Sequence, residues 1–459
     1  INSVKAVFFC LMENKKSRGA LSMAKLTAPL AMEQVFRLLI SSIDTFMLSS
    51  FSEKTVAGVG IVAQYAFFLN ILFSVVVTGT TIVLAQYLGA QKSDEELNSI
   101  SRASSVMTTV ISLVMTVIVL LTIKPLLACY TIEGEVRKAA CDYFTIYGGI
   151  CAFFCAFSLL QSGILRAYGY TKEALYVTIV ANLVNVIGNA ISIYAPFGLP
   201  VFGVKGVAWA SGISMMVSCV LLHIIIRKKK DIKFNLRGLL KVPYKFYSVI
   251  LKVGVPTAGE SLSYNVAMIS TMAMITTLGT NAVNAQIYTQ TIIRFAYAIA
   301  IAMSSAVQIK VGYFVGAKQS DIAYRKVFKY WICSVAFSMT LVAAFNLVKT
   351  PVIKIFTETP EVSGLVVKLL LVSFYIEFGR TMNLIFIGAL KGSGDVLFPV
   401  IYGIFSMWII IVGVGFLLGL YLHLGIVGFW LATGTEETTR GIVMLFRWKS
   451  KRWVKNALV

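Results

Sequence analysis

Apolar residues run along this chain in blocks separated by short polar segments. Twelve blocks centre near residues 38, 70, 110, 150, 183, 215, 263, 298, 336, 376, 408 and 436. Each reaches the length of about 20 residues that a helix needs to cross the hydrocarbon of a bilayer. The pattern predicts an all-α integral membrane protein with twelve transmembrane helices. The second, eighth and tenth blocks exceed a minimal span and are expected to tilt or to project beyond the lipid. A further apolar run at 6–12, AVFFCLM, is too short to span, and no small-residue cleavage site follows it.

Composition agrees with the periodicity. The chain has 459 residues, 58% hydrophobic and only 13% charged, about half the charged fraction of a soluble protein. Lysine and arginine set the orientation. With the termini and every even-numbered connection on the cytoplasmic side, those segments hold 27 Lys/Arg against eight in the odd-numbered connections. Eight of the 27 lie in RKKKDIKFNLRGLLKVPYK (227–245), with a single acid. Topological anchoring and attraction to anionic lipid account for this stretch and for most of the +21 net charge, so no nucleic-acid partner is implied. The expected location is the cell (plasma) membrane, crossed many times, with both termini cytoplasmic.

The basic stretch at 227–248 separates a first lobe, 1–226, from a second, 249–459. The halves repeat each other. YLGAQKSD (87–94) recurs as FVGAKQSD (314–321), an offset of 227 that also pairs Pro29 with Pro256 and Glu33 with Glu260. Further along, GILRAYGYT (163–171) is similar to GALKGSGDV (388–396), and GVKGVAWAS (203–211) to GIVGFWLAT (425–433). Six crossings per half bring both halves in from the same side, which predicts two parallel six-helix repeats around a central cleft. That is a transporter plan. No GxxxxGK[ST] is present for ATP hydrolysis, and no catalytic cluster speaks for an enzyme. Gly58-x-Gly60-x-x-Ala63 lacks the preceding strand of a dinucleotide loop. The seven cysteines show no CxxC pattern and read as small core residues.

Ionisable groups inside the membrane each require an explanation, because one costs at least ~2.5–3.5 kcal/mol on insertion scales. Glu33 has Arg37 one turn on, Glu377 has Arg380, and Glu436 and Glu437 have Arg440, so all three sets admit local pairing. Asp44 and Glu260 have no base within one helical turn, which makes them candidates for binding something positive, although Arg294 could reach Glu260. The fifth helix, VANLVNVIGNAISIY, places Asn182, Asn185 and Asn189 at roughly helical spacing. Amide oxygens beside a carboxylate suit sodium, or a protonated carboxyl held by hydrogen bonds; interhelical hydrogen bonding without an ion is the alternative. Glu33, Glu260, Tyr264, Glu377 and Arg294 are the candidate substrate contacts.

These stretches together resemble a family. LTAPLAMEQVFRLLISSIDTFML, VAGVGI, AQYLGAQKSDE, GVPTAGESL, GYFVGAKQSD and GALKGSGD are similar, in this order, to segments of the MATE (multidrug and toxic compound extrusion) transporters, over about residues 25–446. The resemblance implies efflux of amphipathic organic cations or natural products in exchange for H⁺ or Na⁺, with no other cofactor. It implies that Asp44 is the first-helix acid carrying the coupling cation, with Asn185, Ser211 and, where the family often has aspartate, Asn189 beside it. If the ion is sodium, Asp44, Asn185 and Asn189 are its expected ligands. Glu260 matches the seventh-helix acid of the second lobe. Arg380 stands about where one branch of the family has a cation-binding aspartate, and SSFSEKT replaces the usual glycine-rich segment after the first helix. The expected mechanism is alternating access by a monomer in contact with lipid. A lipid-linked oligosaccharide flippase of related architecture, drawing on Arg37, Arg294, Lys310 and Arg380, is the nearest alternative. A non-transporting membrane sensor or assembly partner is the second.

Overall fold

The computed structural model describes residues 22–459 apart from 199, 236–237 and 240–241. The apolar run at 6–12 and Cys10 lie outside the described residues. Fourteen α-helices follow one another: α1 (Met23–Phe51), α2 (Glu53–Gly89), α3 (Asp94–Ala128), α4 (Gly134–Phe144), α5 (Ala152–Ala167), α6 (Thr171–Tyr194), α7 (Gly203–Lys228), α8 (Tyr244–Thr276), α9 (Thr280–Gly316), α10 (Ser320–Leu347), α11 (Lys349–Phe356), α12 (Pro360–Ser393), α13 (Leu397–Ser406) and α14 (Gly425–Lys449). Eight of the helical segments are long and apolar enough to cross a membrane, and α4 with α5, bent by 51° at a break, makes a ninth. The remaining long helices, α1, α8 and α14, are those that carry Asp44, Glu260 and the Glu436–Glu437–Arg440 set. With them the described residues make twelve crossings, as the apolar blocks predict.

Helix lengths follow the expectation for the second, eighth and tenth crossings. α2 and α9 have 37 residues each and α12 has 34, and α3, with 35, joins them. At about 1.5 Å per residue these exceed a hydrocarbon thickness of about 30 Å. α3 starts on a capping box: the Ser93 side chain accepts from the Glu96 backbone, and Glu96 reaches back to Ser93. The segment SSFSEKT is a handover between helices, with Ser52 alone between α1 and α2. Lys54 then anchors this corner to Glu133 (3.1 Å) and Glu135 (2.9 Å) at the start of α4. α13 continues as widened π turns over Met407–Val414 and Leu417–Tyr421. Gly58 and Gly60 fall inside continuous α2, away from any strand–helix turn.

The chain divides into two compact units. Among the described residues one holds 22–31, Ala85–Gln91 and Gly259–Val459, and the other Met32–Leu84 and Lys92–Ala258. Ala31 and Ala258, where α1 and α8 pass from one unit to the other, are themselves 227 residues apart. In the unit that contains Gly259–Val459, Met23, Leu26 and Leu30 of α1 pack with Met303, Val307, Phe386, Leu390, Trp448 and Trp453. In the other, Val62, Leu69 and Phe73 of α2 pack with Val119 and Ile123 of α3 and with Phe144 and Cys155. Cys151, Cys155 and Cys333 are buried, as read from their apolar settings, whereas Cys129 is exposed.

Small residues let helices approach, the usual device where lipid removes the hydrophobic drive for helix association. Gly388 of α12 lies against the Ser304 carbonyl of α9, which a Cβ there would meet at 2.7 Å. The duplicated loop takes part reciprocally: Gly89 packs on the Tyr313 backbone and Gly316 on the Gln86 backbone, each pair displaced by the repeat offset. Gln86 also donates to the Gly392 carbonyl and accepts from the Leu458 backbone, both at 2.8 Å. Gly415 and Gly419 face the Phe429 ring of α14, so this GxxxG serves internal packing. The basic stretch after α7 docks on α3: Ser101 donates to Lys233 O at 2.9 Å, Arg102 to Asn235 O at 2.9 Å, and Lys233 pairs with Asp94 at 2.8 Å.

Substituting Gly388→Ala is therefore expected to cost about 1–3 kcal/mol through overpacking. Gly60→Ala, which meets nothing within 4 Å, should be neutral. Thermal melts of both variants in detergent check the contrast.

Candidate functional site

α1 places Glu33, Arg37 and Asp44 on one face, because residues four and seven apart in a helix share a side. The opposite face exposes Met32, Leu39, Ile43 and Phe46. Asp44 meets α6 across this polar face. Its Oδ1 accepts from Asn189 Nδ2 at 2.8 Å. The same Nδ2 lies 3.4 Å from Asn185 Oδ1, and Asn185 Nδ2 donates to Ser211 Oγ of α7 at 3.0 Å. Tyr143, at the end of α4, borders Ser211 and Asp44. Asn185 and Asn189 are 6% and 1% exposed. No base pairs with Asp44 among the described residues, and Asn189 Oδ1 is buried without a partner. The predicted residues Asp44, Asn185, Asn189 and Ser211 thus form one hydrogen-bonded row, and Asn182 stands outside it with its amide nitrogen unpartnered.

An amide pointing its nitrogen at a carboxylate suits the ionised acid. Turned over, it would offer the unpartnered oxygen to a protonated Asp44 or, beside the carboxylate, to a sodium ion. The donor set of carboxylate, amide oxygens and hydroxyl consists of hard oxygens, compatible with sodium.

Glu33 is occupied differently. Its Oε1 accepts from Arg166 of α5 at 2.6 Å and from Arg37 at 2.9 Å. The Glu33 side chain is 2% exposed, that of Arg37 47%.

Glu260 lies in the other unit and is held by two bases, Lys391 of α12 at 2.6 Å and Arg440 of α14. Arg294 is exposed and takes no part in holding Glu260. Arg440 also reaches Glu436 at 3.4 Å, and Glu436 accepts from Ser406 at 2.7 Å. Gly403 makes room for the guanidinium, since a Cβ there would meet Arg440 Nη2 at 2.6 Å. A second pairing joins Arg380 to Glu377 on its own helix and to Glu437 at 3.0 Å. Asn383 donates to Glu437 at 2.8 Å, and the Tyr297 ring lies under the Arg380 guanidinium, 4.8 Å away. Tyr264, one turn from Glu260, packs beside Met407 and Ile411. Glu377 is fully buried, with Arg380 and a 3.5 Å contact from Ser338 as its partners.

Sequence reasoning paired Glu33 with Arg37, Glu377 with Arg380, and both Glu436 and Glu437 with Arg440; the first two contacts and Glu436–Arg440 form, whereas Glu437 turns to Arg380 of α12. It did not find Arg166 and Lys391. The signal was present in the repeat, because GILRAYGYT and GALKGSGDV put Arg166 and Lys391 at the same place, each 2.6 Å from the acid of its own first helix.

Twelve crossings in two repeats, carrying carboxylates and hydrogen-bonding rows in their interior, define a multi-pass membrane transporter rather than an enzyme. The MatE family model matches the chain twice, over 29–191 and 256–417, beginning at the two prolines that the repeat pairs. The chain belongs to this family, the MATE transporters. It is 31% identical over 456 residues to "Uncharacterized transporter YisQ" of Bacillus subtilis (strain 168), covering 99% of each chain. It is 28% identical over 445 residues to "Probable multidrug resistance protein NorM" of Thermotoga maritima, covering 95% of this chain and 93% of that one. Among solved structures, it is similar to an outward-facing multidrug resistance MATE family transporter of the MOP superfamily, with TM-score 0.85 and 21% identity over 97% of this chain and 98% of that one.

Removing one member of a buried ion pair typically costs about 3–5 kcal/mol. Arg440→Gln should cost this much, because it leaves buried Glu436 without a base and Glu260 with Lys391 alone. Arg37→Gln should cost about 1 kcal/mol or less, because Glu33 keeps Arg166 and the side chain is half exposed. Thermal unfolding of the two variants tests this order.

Proposed function

We propose that the chain is a secondary antiporter that exports amphipathic organic cations by alternating access, in exchange for H⁺ or Na⁺ taken up at Asp44. One observation carries the reading. Among the described residues, Glu33, Glu260, Glu377, Glu436 and Glu437 each have a basic partner inside their helix bundle, and Asp44 has none. A carboxylate left without a cation in a spanning helix is the place where a mobile cation lowers the free energy most. Exchange requires that the coupling ion and the substrate weaken each other's binding. Asp44 and the turning amide of Asn189 supply such a linkage, since the row made with a proton or sodium differs from the row made without one.

The NorM relative is named as a multidrug resistance protein, which supports the substrate class. The excess of Lys/Arg in the even-numbered connections supports a plasma-membrane protein with cytoplasmic termini. The internal use of Gly415 and Gly419 removes one helix surface that could have formed a dimer, which supports a monomer. In the second unit Glu260 is a charge-balancing member of its network, so coupling rests on Asp44. The flippase alternative draws little from Arg380, which two carboxylates hold.

In proteoliposomes, a fluorescent organic cation should accumulate under either an imposed Na⁺ or an imposed H⁺ gradient. Asp44→Asn should abolish that accumulation while leaving the melting temperature near wild type. Asn189→Ala should weaken coupling by about 10–100-fold, the usual range for a group that orients a ligand. Transport by Asp44→Asn at the wild-type rate would refute the assignment, and loss of stability alone would favour the sensor reading.

A further inference from the structure

The two repeats hold the acid of their first helix in the same way, and they differ in what balances the second base. In the unit containing Gly259–Val459, Glu260 binds Lys391 and Arg440, and Arg440 has Glu436 as a second carboxylate. Two acids serve two bases. In the other unit, Glu33 alone serves both Arg166 and Arg37, through the same oxygen. Ser214 and Ser218 stand in α7 at the repeat positions of Glu436 and Arg440, given the offset that aligns 203–211 with 425–433. No acid has taken the place of Glu436.

The shorter contact is that of Arg166, at 2.6 Å against 2.9 Å, which leaves Arg37 as the surplus cation. No other carboxylate touches it among the described residues. Asp44, on the same face, is seven residues on, about 10 Å along the axis, beyond ion-pair reach. Neutral groups, Tyr147 and Cys155, are its other neighbours. The Arg37 side chain is nevertheless 47% exposed. That exposure is away from lipid, because the lipid-type residues Met32, Leu39, Ile43 and Phe46 occupy the opposite side of α1. Arg166 adds a second unused donor, its Nε, which is buried without a partner. A forked guanidinium with free donors, half open to water within a spanning helix, matches a carboxylate or phosphate oxygen pair.

We infer that Arg37, backed by Arg166, is a binding point for a singly charged carboxylate or phosphate group, carried either by a transported molecule or by an anionic lipid headgroup. This goes beyond cation exchange at Asp44, which needs no anion, and does not rest on it.

The test uses the purified full chain in phosphatidylcholine nanodiscs. One arm titrates benzoate and phenyl phosphate. The other compares discs with and without phosphatidylglycerol. Ligand-dependent thermal stabilisation is read for wild type, Arg37→Gln and Arg37→Lys. Wild type should be stabilised, Arg37→Gln should bind about tenfold more weakly or worse, and Arg37→Lys should fall between. A response to the soluble anions assigns the site to a transported group, and a response to phosphatidylglycerol alone assigns it to lipid. A variant-free measurement covers the case that Arg37→Gln does not fold: the same ligands should slow phenylglyoxal modification of Arg37 in wild type, mapped by mass spectrometry. No stabilisation of wild type in either arm, equal binding by Arg37→Gln, or unchanged modification of Arg37 overturns the inference.

Discussion

A carboxylate buried in a membrane-spanning helix is costly unless a base is brought to it, and at Glu33 and Glu260 this constraint organises both repeats. Glu33 of α1 meets Arg166 of α5, and Glu260 of α8 meets Lys391 of α12. In each case the acid of the first crossing is tied to the fourth. A pair of this kind adds little net stability over a well-packed apolar alternative, yet it is costly to break. Its value is positional: it sets the depth and rotation of two helices that lie far apart in sequence. The reciprocal glycine contacts at Gly89 and Gly316 do the same at the loops, by backbone approach instead of charge.

Duplication produced two copies of this frame, and the copies have diverged in what they add. The first retains Asp44, which accepts from Asn189 of α6 and has no base beside it among the described residues. At the equivalent place the second has Thr271, whose hydroxyl donates to the Ala267 carbonyl of its own helix at 2.9 Å. The second instead gains Glu377, Arg380, Glu436, Glu437 and Arg440, all buried and mutually paired. One unit therefore keeps an unneutralised acid and a half-open arginine, while the other is a tightly interlocked ionic core.

The helices, their number and the repeat were legible in the chain because each depends on local or periodic quantities: the length of an apolar block, the spacing of prolines and acids, the side on which lysines gather. The row Asp44–Asn189–Asn185–Ser211 was legible in part. Helical spacing predicts that Asn185 and Asn189 share a face, and Asp44 stood out for lacking a base within one helical turn. The partners of Glu260 were not, since Lys391 and Arg440 are 131 and 180 residues away. Arg294 was a plausible candidate by proximity in sequence, and the turn of α9 leaves it exposed.

The sequence by itself determined that this is a twelve-crossing, duplicated membrane protein with acids inside its helices, because hydropathy, charge bias and internal similarity act residue by residue. Only the tertiary structure decided which charges cancel. Coulomb interaction in a low-dielectric interior depends on separations of a few ångströms, and those separations are set by how α1 packs on α5 and α6, and how α8 packs on α12 and α14. Glu33 and Asp44 stand eleven residues apart on one helix, and their neighbours on other helices tie one to an arginine and leave the other hydrogen-bonded to an amide.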